Sequence, residues 1–224
     1  MALPVPAEKR AWASDLDESG RIVGRYDTGR IGRVLSAPLV PILWWPYPYV
    51  EMAERAFIFE GGAVTELPIL PGAVHATAHA LNDHGQIVGS VSVPFDWEPS
   101  RADKARGRAT SILPLAERPV LWERSEGTWH ITELPAMEGM RQGRATAINN
   151  SGQVVGSVQL EDRRLAVLWQ EGRATDLGSL GGTWSEVTAI NDGGQIVGGS
   201  YVAEGWRTHA FLRESGRMID LGVR

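Results

Sequence analysis

The feature that most restricts the fold of this chain is an eleven-residue stretch that occurs four times. The copies are SDLDESGRIVG, HALNDHGQIVG, TAINNSGQVVG and TAINDGGQIVG, beginning at Ser14, His79, Thr146 and Thr188. In each copy an Asn or Asp stands three residues before a Gly, and β-branched residues follow. Asx side chains hydrogen-bond the local backbone, and Gly supplies the positive φ that closes a tight turn. Each copy therefore predicts a two-stranded β-hairpin.

A second, looser repeat follows each hairpin. It has the pattern Ala/Pro-Phe/Val-Leu/Ile, as in His209–Leu212, and an acidic residue followed by Leu closes it, as in Asp220-Leu221. This pattern predicts a second hairpin in every unit. The chain thus reads as one repeat domain of four units with four strands each. The units cover approximately residues 10–67, 75–134, 142–177 and 184–221.

The motifs of the last two units carry a family resemblance. The stretch Asp176–Gly182 reads DLGSLGG, and His209-Ala210-Phe211 reads HAF. Together with the AINxxGQIVG hairpins they resemble the HAF repeats of bacterial proteins, a family of extracellular repeats. The resemblance implies a repeated, propeller-like β architecture and says little about chemistry.

The spacing of the units favours a β-propeller. Gly156 and Gly198, which end two successive hairpins, are 42 residues apart. Four-stranded propeller blades recur every roughly 40 to 45 residues. The predicted fold class is therefore all-β, a four-bladed propeller with four antiparallel strands per blade. The alternatives are a β-sandwich or β-solenoid built from the same hairpins, and a half-ring that a second copy completes, which would make the protein a homodimer.

Composition excludes several classes of partner. A formal net charge of −5 argues against nucleic acid, which normally requires a basic face. No apolar run approaches the length of a membrane span. The N-terminus lacks the basic and apolar segments of a secretory signal, so a cytoplasmic location is expected. The absence of Cys excludes disulfides and thiolate metal sites. Abundant Arg and Ala with scarce Lys suggest a bacterial source.

Units 1 and 2 carry long insertions, residues 25–54 and 91–117, between their second and third strands. In an up-and-down blade both would leave from one rim, and long loops on a rigid scaffold commonly carry binding sites. Aromatic residues in them would line a pocket for an apolar or ring-bearing ligand. These residues are Trp44, Trp45, Tyr47, Tyr49 and Trp97. The alternatives are a plug or edge cover, or a dimer contact.

The inner strand of each unit carries polar residues that would converge at the mouth of the ring. His75, His79, Asp15, Glu186 and Arg144 are the candidate catalytic residues, with Trp12 and Trp184 beside them as ligand contacts. A His near a carboxylate transfers protons near neutral pH, and an Arg holds an anion. The alternative is a satisfied polar ring in which Arg144 and Glu186 pair. On one strand His75 and His79 stand about 13 Å apart, too far to share a metal ion.

Two functions are consistent with this pattern. The first is a metal-independent and cofactor-independent acid/base enzyme, a cyclase, isomerase or lyase that acts on a largely apolar small molecule, of the kind found in bacterial secondary metabolism. The second is a non-catalytic propeller module that binds a ligand or another protein. The enzyme requires a contact between a His and a carboxylate inside the mouth, and the binding module does not.

Overall fold

The computed structural model describes residues 9–35, 49–94, 115–203 and 207–222. The described residues form sixteen β-strands in four consecutive units. Unit 1 consists of β1 (Ala11–Leu16), β2 (Ile22–Leu35), β3 (Tyr49–Glu60) and β4 (Ala63–Glu66). Unit 2 consists of β5 (His75–Leu81), β6 (Ile87–Pro94), β7 (Leu115–Ser125) and β8 (Thr128–Glu133).

Units 3 and 4 repeat this order. Unit 3 consists of β9 (Gln142–Ile148), β10 (Val154–Gln159), β11 (Arg164–Gln170) and β12 (Arg173–Asp176). Unit 4 consists of β13 (Gly181–Ile190), β14 (Ile196–Val202), β15 (Thr208–Glu214) and β16 (Arg217–Asp220). Within each unit, strands that are neighbours in sequence pair antiparallel. One parallel bridge, Arg164 to Trp184, joins units 3 and 4.

Local sequence explains the hairpins. In the first hairpin of unit 2, the backbone N–H of Gly85 donates to the carbonyl of Asn82, 3.0 Å away, and Gly85 has φ +81°. The second hairpin of unit 2 turns through Glu126 and Gly127, both with positive φ. This is the two-residue turn whose twist matches that of the flanking strands. The hairpins predicted from the repeats are therefore present.

The insertions differ from the prediction because each begins and ends in strand. In unit 1 the pairing of β2 with β3 continues beyond Asp27 and Glu54 to Leu35 and Tyr49. In unit 2, β6 runs to Pro94, which pairs with Leu115 of β7. The backbone groups of these segments satisfy one another by extending the ladder, so the insertions lengthen existing hairpins. Residues 36–48 and 95–114 lie outside the described residues.

Hydrophobic clusters pack each unit onto the next. The inner strand of each following unit, β5, β9 or β13, lies against the first three strands of the unit before it. Three buried clusters fill these three junctions, and Trp122, Trp169 and Phe211 are the largest side chains in them. Antiparallel four-stranded sheets that pack face to face through their inner strands form a propeller-like, all-β fold. No helix among the described residues has the length and apolar character of a membrane span.

Candidate functional site

Each inner strand carries a β-bulge at the same repeat position. The pairing with the second strand shifts at Ser14, His79, Thr146 and Thr188. A Gly of the second strand, such as Gly156, lies opposite the bulge, and a Cβ there would stand 2.0 Å from the carbonyl oxygen of Arg144. The Gly that ends each repeat is thus required by this close approach of two backbones. The bulge also interrupts the strict alternation of faces that the sequence predicted along these strands.

His79 reaches from unit 2 into unit 3. Its Nδ1 lies 2.7 Å from the carbonyl oxygen of Ala145, which can only accept, so Nδ1 carries the proton and Nε2 is the basic nitrogen. Burial lowers the pKa of His79 below its usual 6.5, the Ala145 carbonyl opposes this shift, and the Arg144 guanidinium adds to it. His79 is therefore a mainly neutral imidazole at pH 7.

His75 bridges units 1 and 2 by a different contact. The side chain is buried, and its Nδ1 accepts a hydrogen bond of 3.2 Å from the backbone N–H of Glu54 in β3. A histidine that accepts at Nδ1 carries its proton at Nε2 when it is neutral. The two histidines of β5 therefore contact opposite neighbours, since His75 faces unit 1 and His79 faces unit 3.

Arg144 and Glu186 form ion pairs with other partners and not with each other. Arg144 Nη2 lies 3.2 Å from Glu117 Oε2, between units 3 and 2. Arg164 Nη2 lies 3.3 Å from Glu186 Oε1, between units 3 and 4. All four side chains are partly exposed, so each pair contributes little to stability. In the first pair the acid belongs to the earlier unit, and in the second pair it belongs to the later one.

Asp15 also connects two units. Its Oδ2 accepts a 3.0 Å hydrogen bond from the backbone N–H of Leu81 in unit 2, and its Oδ1 accepts from Leu16. It lies near the tight turns, on a recess of about 350 Å³ that residues of all four turns line. Arg144 and Glu117 instead line a separate recess of about 70 Å³. Each of the five candidate catalytic residues thus makes a contact across a unit junction.

The aromatic candidates divide into described and undescribed residues. The Arg25 guanidinium stacks over the exposed ring of Trp12 at 4.9 Å. Trp184 packs against Tyr201, with 5.0 Å between ring centroids. Tyr49 is the first residue of β3. The remaining candidates, Trp44, Trp45, Tyr47 and Trp97, lie outside the described residues.

Sequence reasoning missed a ladder of side chains that links the tight turns. The side-chain amide of Asn82 donates to the carbonyl of Asn149 at 3.0 Å, and that of Asn149 donates to Asn191 at 3.1 Å. In each of these turns a Gln four residues later accepts from the Asn amide, for example Gln153 from Asn149 at 2.7 Å. The recurring Asn-x-x-x-Gln spacing was the available signal. The turn residue is therefore both a local cap and a link between units.

Unit 1 makes the same link with charged residues. Asp17 replaces the Asn and Arg21 replaces the Gln, and Arg21 Nε lies 2.5 Å from Asp17 Oδ2. Arg21 Nη2 then donates to the carbonyl of Asn82 at 3.3 Å and to that of Asp83 at 2.9 Å. Burial acts to raise the pKa of Asp17, but hydrogen bonds from Arg21 and Ser19 outweigh it and hold that pKa below its usual value.

A histidine–carboxylate contact is present in unit 4, away from the candidates. His209 Nδ1 lies 2.9 Å from Asp220 Oδ1, and this hydrogen bond lowers the pKa of Asp220. The pair borders an open recess of about 560 Å³. His209 belongs to the repeat pattern HAF and Asp220 to the pattern Asp-Leu. From the sequence these patterns were interpreted only as marks of the second hairpin, so the contact between the two side chains was missed.

A further recess lies beside the tight turns and has a volume of about 530 Å³, within the usual size of ligand pockets. Arg124 stacks over Trp129 there at 4.8 Å and pairs with Glu60 at 2.5 Å, so its charge is already compensated. Among the described residues, no group of three or more His, Asp and Glu side chains is arranged to hold a metal ion.

Comparison with known proteins identifies the fold alone. No protein-family model and no curated protein matches this chain. The chain is similar in structure to TolB from Acinetobacter baumannii, with a TM-score of 0.54 and 8% identity over 97% of this chain and 45% of TolB. It also matches the β-propeller domain of the Trilobed protease from Pyrococcus furiosus, with a TM-score of 0.49, 12% identity, and coverage of 98% of this chain and 53% of that domain. The chain thus spans about half the length of these two structures. Its own strand order and the likeness to TolB agree on a propeller-like, all-β fold.

Proposed function

We propose that the protein is a non-catalytic binding module in which four blades of four strands form a scaffold and the hairpin extensions of units 1 and 2 hold the ligand. One observation carries the proposal. Units 3 and 4 complete the same four-stranded arrangement with short connections, since β10 ends at Gln159 and β11 begins at Arg164. The extra residues of units 1 and 2 are therefore not needed to build a unit, and long additions to a rigid scaffold commonly serve binding.

The contacts of the candidate catalytic residues support a scaffold role. Asp15 and His79 each bond to a backbone group of the following unit, and Arg144 pairs with the preceding one. Such contacts hold neighbouring units in register. The recess beside Arg144, about 70 Å³, is also far smaller than the roughly 300 to 1,000 Å³ of a typical ligand pocket.

The sequence of the extensions indicates the class of ligand. The connection between β2 and β3 contains Trp44, Trp45 and Tyr47 among prolines, and that between β6 and β7 contains Trp97. Trp and Tyr offer large flat faces with a polar edge, and Pro stiffens the chain that carries them. An apolar, ring-bearing small molecule matches this chemistry. The HAF-repeat resemblance is consistent with such a module.

A second candidate is the acid/base enzyme, and His79 is the observation that favours it. Its Nε2 is basic and its pKa is lowered by burial, with Arg144 and Glu117 close enough to influence it. Such an imidazole is a competent general base near neutral pH. In this function His79 would accept the proton, and Arg144 would hold the developing negative charge.

A ligand screen on matched variants tests the proposal. A library of apolar ring compounds would be screened by thermal shift against the protein and against a variant in which a four-residue turn replaces residues 36–48. A control variant carries Glu161→Gly and Asp162→Gly in the short connection of unit 3. We expect compounds that stabilise the protein and the control but not the shortened variant. Hits that stabilise all three equally would contradict the proposed site.

The variant His79→Thr separates the two functions, because Thr occupies the same repeat position in units 3 and 4. A binding module predicts that His79→Thr retains the affinity of every hit and that no hit is converted to product. Conversion of a hit by the protein, with loss of turnover but retained binding in His79→Thr, would favour the enzyme.

A further inference from the structure

The three unit junctions are built alike. In each junction the earlier unit contributes a Val from its second strand and the Leu after its fourth strand, and the later unit covers both side chains. In the first junction Val23 and Leu67 of unit 1 pack with Leu81, Ile87 and Trp122 of unit 2. The second and third junctions repeat this arrangement with Val88 and Leu134, and with Val155 and Leu177.

Unit 4 presents the same residues without a cover. Val197 is 39% exposed and Leu221 is 51% exposed. Their counterparts in units 1 to 3 are at most 8% exposed: Val23, Val88, Val155, Leu67, Leu134 and Leu177. Among the described strands, none packs on unit 4 as unit 4 packs on unit 3. Unit 4 therefore carries half of a fourth junction.

Unit 1 carries the other half. Leu16 is 62% exposed, whereas its counterparts Leu81 and Ile148 are 6% and 8% exposed. Ile22 and Phe59 are half-buried, whereas the equivalent Ile87 and Trp122 are fully covered. Among the residues whose side-chain exposure the structure describes, the exposed large hydrophobic ones belong to β1 or to unit 4. They are Trp12, Leu16, Val197, Ile219 and Leu221.

The polar ladder of the tight turns ends at the same two places. Asn82 and Asn149 are buried, and each donates both to the Gln of its own turn and to the next unit. Asn191 is exposed, and in the part of the chain that the structure describes its amide donates to Gln195 of its own turn. At the other end of the ladder, the backbone carbonyl of Asp17 accepts from the N–H of Gly20, and the carbonyls of Asn82 and Asn149 are bonded in the same way within their own turns. Within the described residues, no preceding turn donates a side-chain amide to the Asp17 carbonyl.

We propose that two copies of this chain associate head to tail, with unit 4 of each copy on unit 1 of the other, and so complete one ring of eight blades. Val197, Leu212 and Leu221 of one copy would cover Leu16, Ile22 and Phe59 of the other. The Asn191 amide would donate to the Asp17 carbonyl across this contact. The proposal rests on the four-bladed scaffold proposed above but is independent of its ligand.

The number of copies follows from ring closure. A head-to-tail contact generates a closed ring if its rotation closes and a filament if it does not. Propellers have typically four to eight blades, so a ring built from copies of these four units contains one copy or two. A single copy leaves both faces exposed in this structure, and two copies cover both.

The test measures mass in solution and uses one substitution on each face. Sedimentation equilibrium would be run on the protein, on Val197→Lys, on Leu16→Lys, and on Thr128→Lys as a control at an exposed position of unit 2. The protein and the control are expected at twice the 24.4 kDa of one chain. Each face variant is expected to raise the dimer dissociation constant by about 10- to 100-fold, because a charge in the centre of an interface is left unpaired. Circular dichroism checks that every variant is folded.

Mixing the two face variants distinguishes the arrangement. A Val197→Lys chain and a Leu16→Lys chain retain one intact contact between them, so the mixture should recover part of the dimer that neither forms alone. Loss of association in Val197→Lys but not in Leu16→Lys would indicate a symmetric contact between two copies of unit 4 and overturn the head-to-tail ring. A protein that is monomeric at all concentrations, or that forms larger polymers, would overturn it as well.

Discussion

The side-chain amide of Asn149 donates to the backbone carbonyl of Asn191, 3.1 Å away in the next unit. The same side chain accepts hydrogen bonds from the backbone N–H groups of Ser151 and Gln153. Because Asn149 is buried, removing it leaves several backbone groups without partners. We expect Asn149→Ala to lower the free energy of unfolding by about 2 to 4 kcal/mol, measured by urea denaturation.

The matched control for this prediction is Asn191→Ala, at the equivalent and exposed position of unit 4. Both changes would be made in the Leu16→Lys background, so that association does not contribute. Asn191→Ala should cost about 1 kcal/mol, the usual net value of a lost hydrogen bond. Equal losses at the two positions would show that the link between units contributes nothing.

The pair of Asp17 and Arg21 replaces the Asn and Gln of the other turns, which makes it suitable for a double-mutant cycle. The single variant Arg21→Gln leaves the buried Asp17 carboxylate without its guanidinium partner. The double variant Asp17→Asn/Arg21→Gln recreates the pairing seen at Asn82 and Gln86. We expect an interaction free energy of about 1 to 3 kcal/mol between the two positions.

This interaction should depend on pH with a defined sign. The pKa of Asp17 is lowered in the folded protein, so the stability that it contributes is present above its ordinary value of 3.8. That contribution is lost as the pH falls through the lowered pKa. The protein should therefore lose stability in acid relative to the double variant, and a constant difference down to that range would contradict the role assigned to the carboxylate.

The sharpest steric prediction concerns the lack of space for a side chain at Gly156. A Cβ at this position would stand 2.0 Å from the backbone carbonyl oxygen of Arg144, and no side-chain rotation can relieve a contact with backbone. We expect Gly156→Ala to destabilise the protein by about 3 kcal/mol. Gly193→Ala is the control, because its Cβ would meet only the Asn191 side chain at 3.3 Å. Thermal unfolding should show a large loss for the first variant and little change for the second.

His79 should make stability depend on pH between neutrality and mild acid. Its pKa is lowered below 6.5 in the folded state, so the unfolded chain takes up the proton first. The protein should therefore lose stability relative to His79→Thr as the pH falls from its ordinary pKa towards the lowered one. Urea denaturation across this range measures the difference, and NMR titration of the His79 ring should give a pKa below 6.5. A parallel course of the two stability curves would contradict the burial of the neutral ring.

The sequence by itself determined the hairpins and the four units. Turn formation at Asn82 and Gly85 depends on groups three residues apart, so a single chain segment contains the physics that decides it. The propeller-like arrangement also followed, because repeats of this length must stack to bury their apolar faces.

The tertiary structure alone decided what the polar residues contact. His79 meets Ala145 and Asp15 meets Leu81, partners 66 residues away that no local pattern names. The bulges at the inner strands changed which residues share a face, and a register shift of one residue reverses every side chain after it. The tertiary structure also decided the exposure of Leu16 and Val197, because side chains at the same repeat positions are buried only where another unit packs against them.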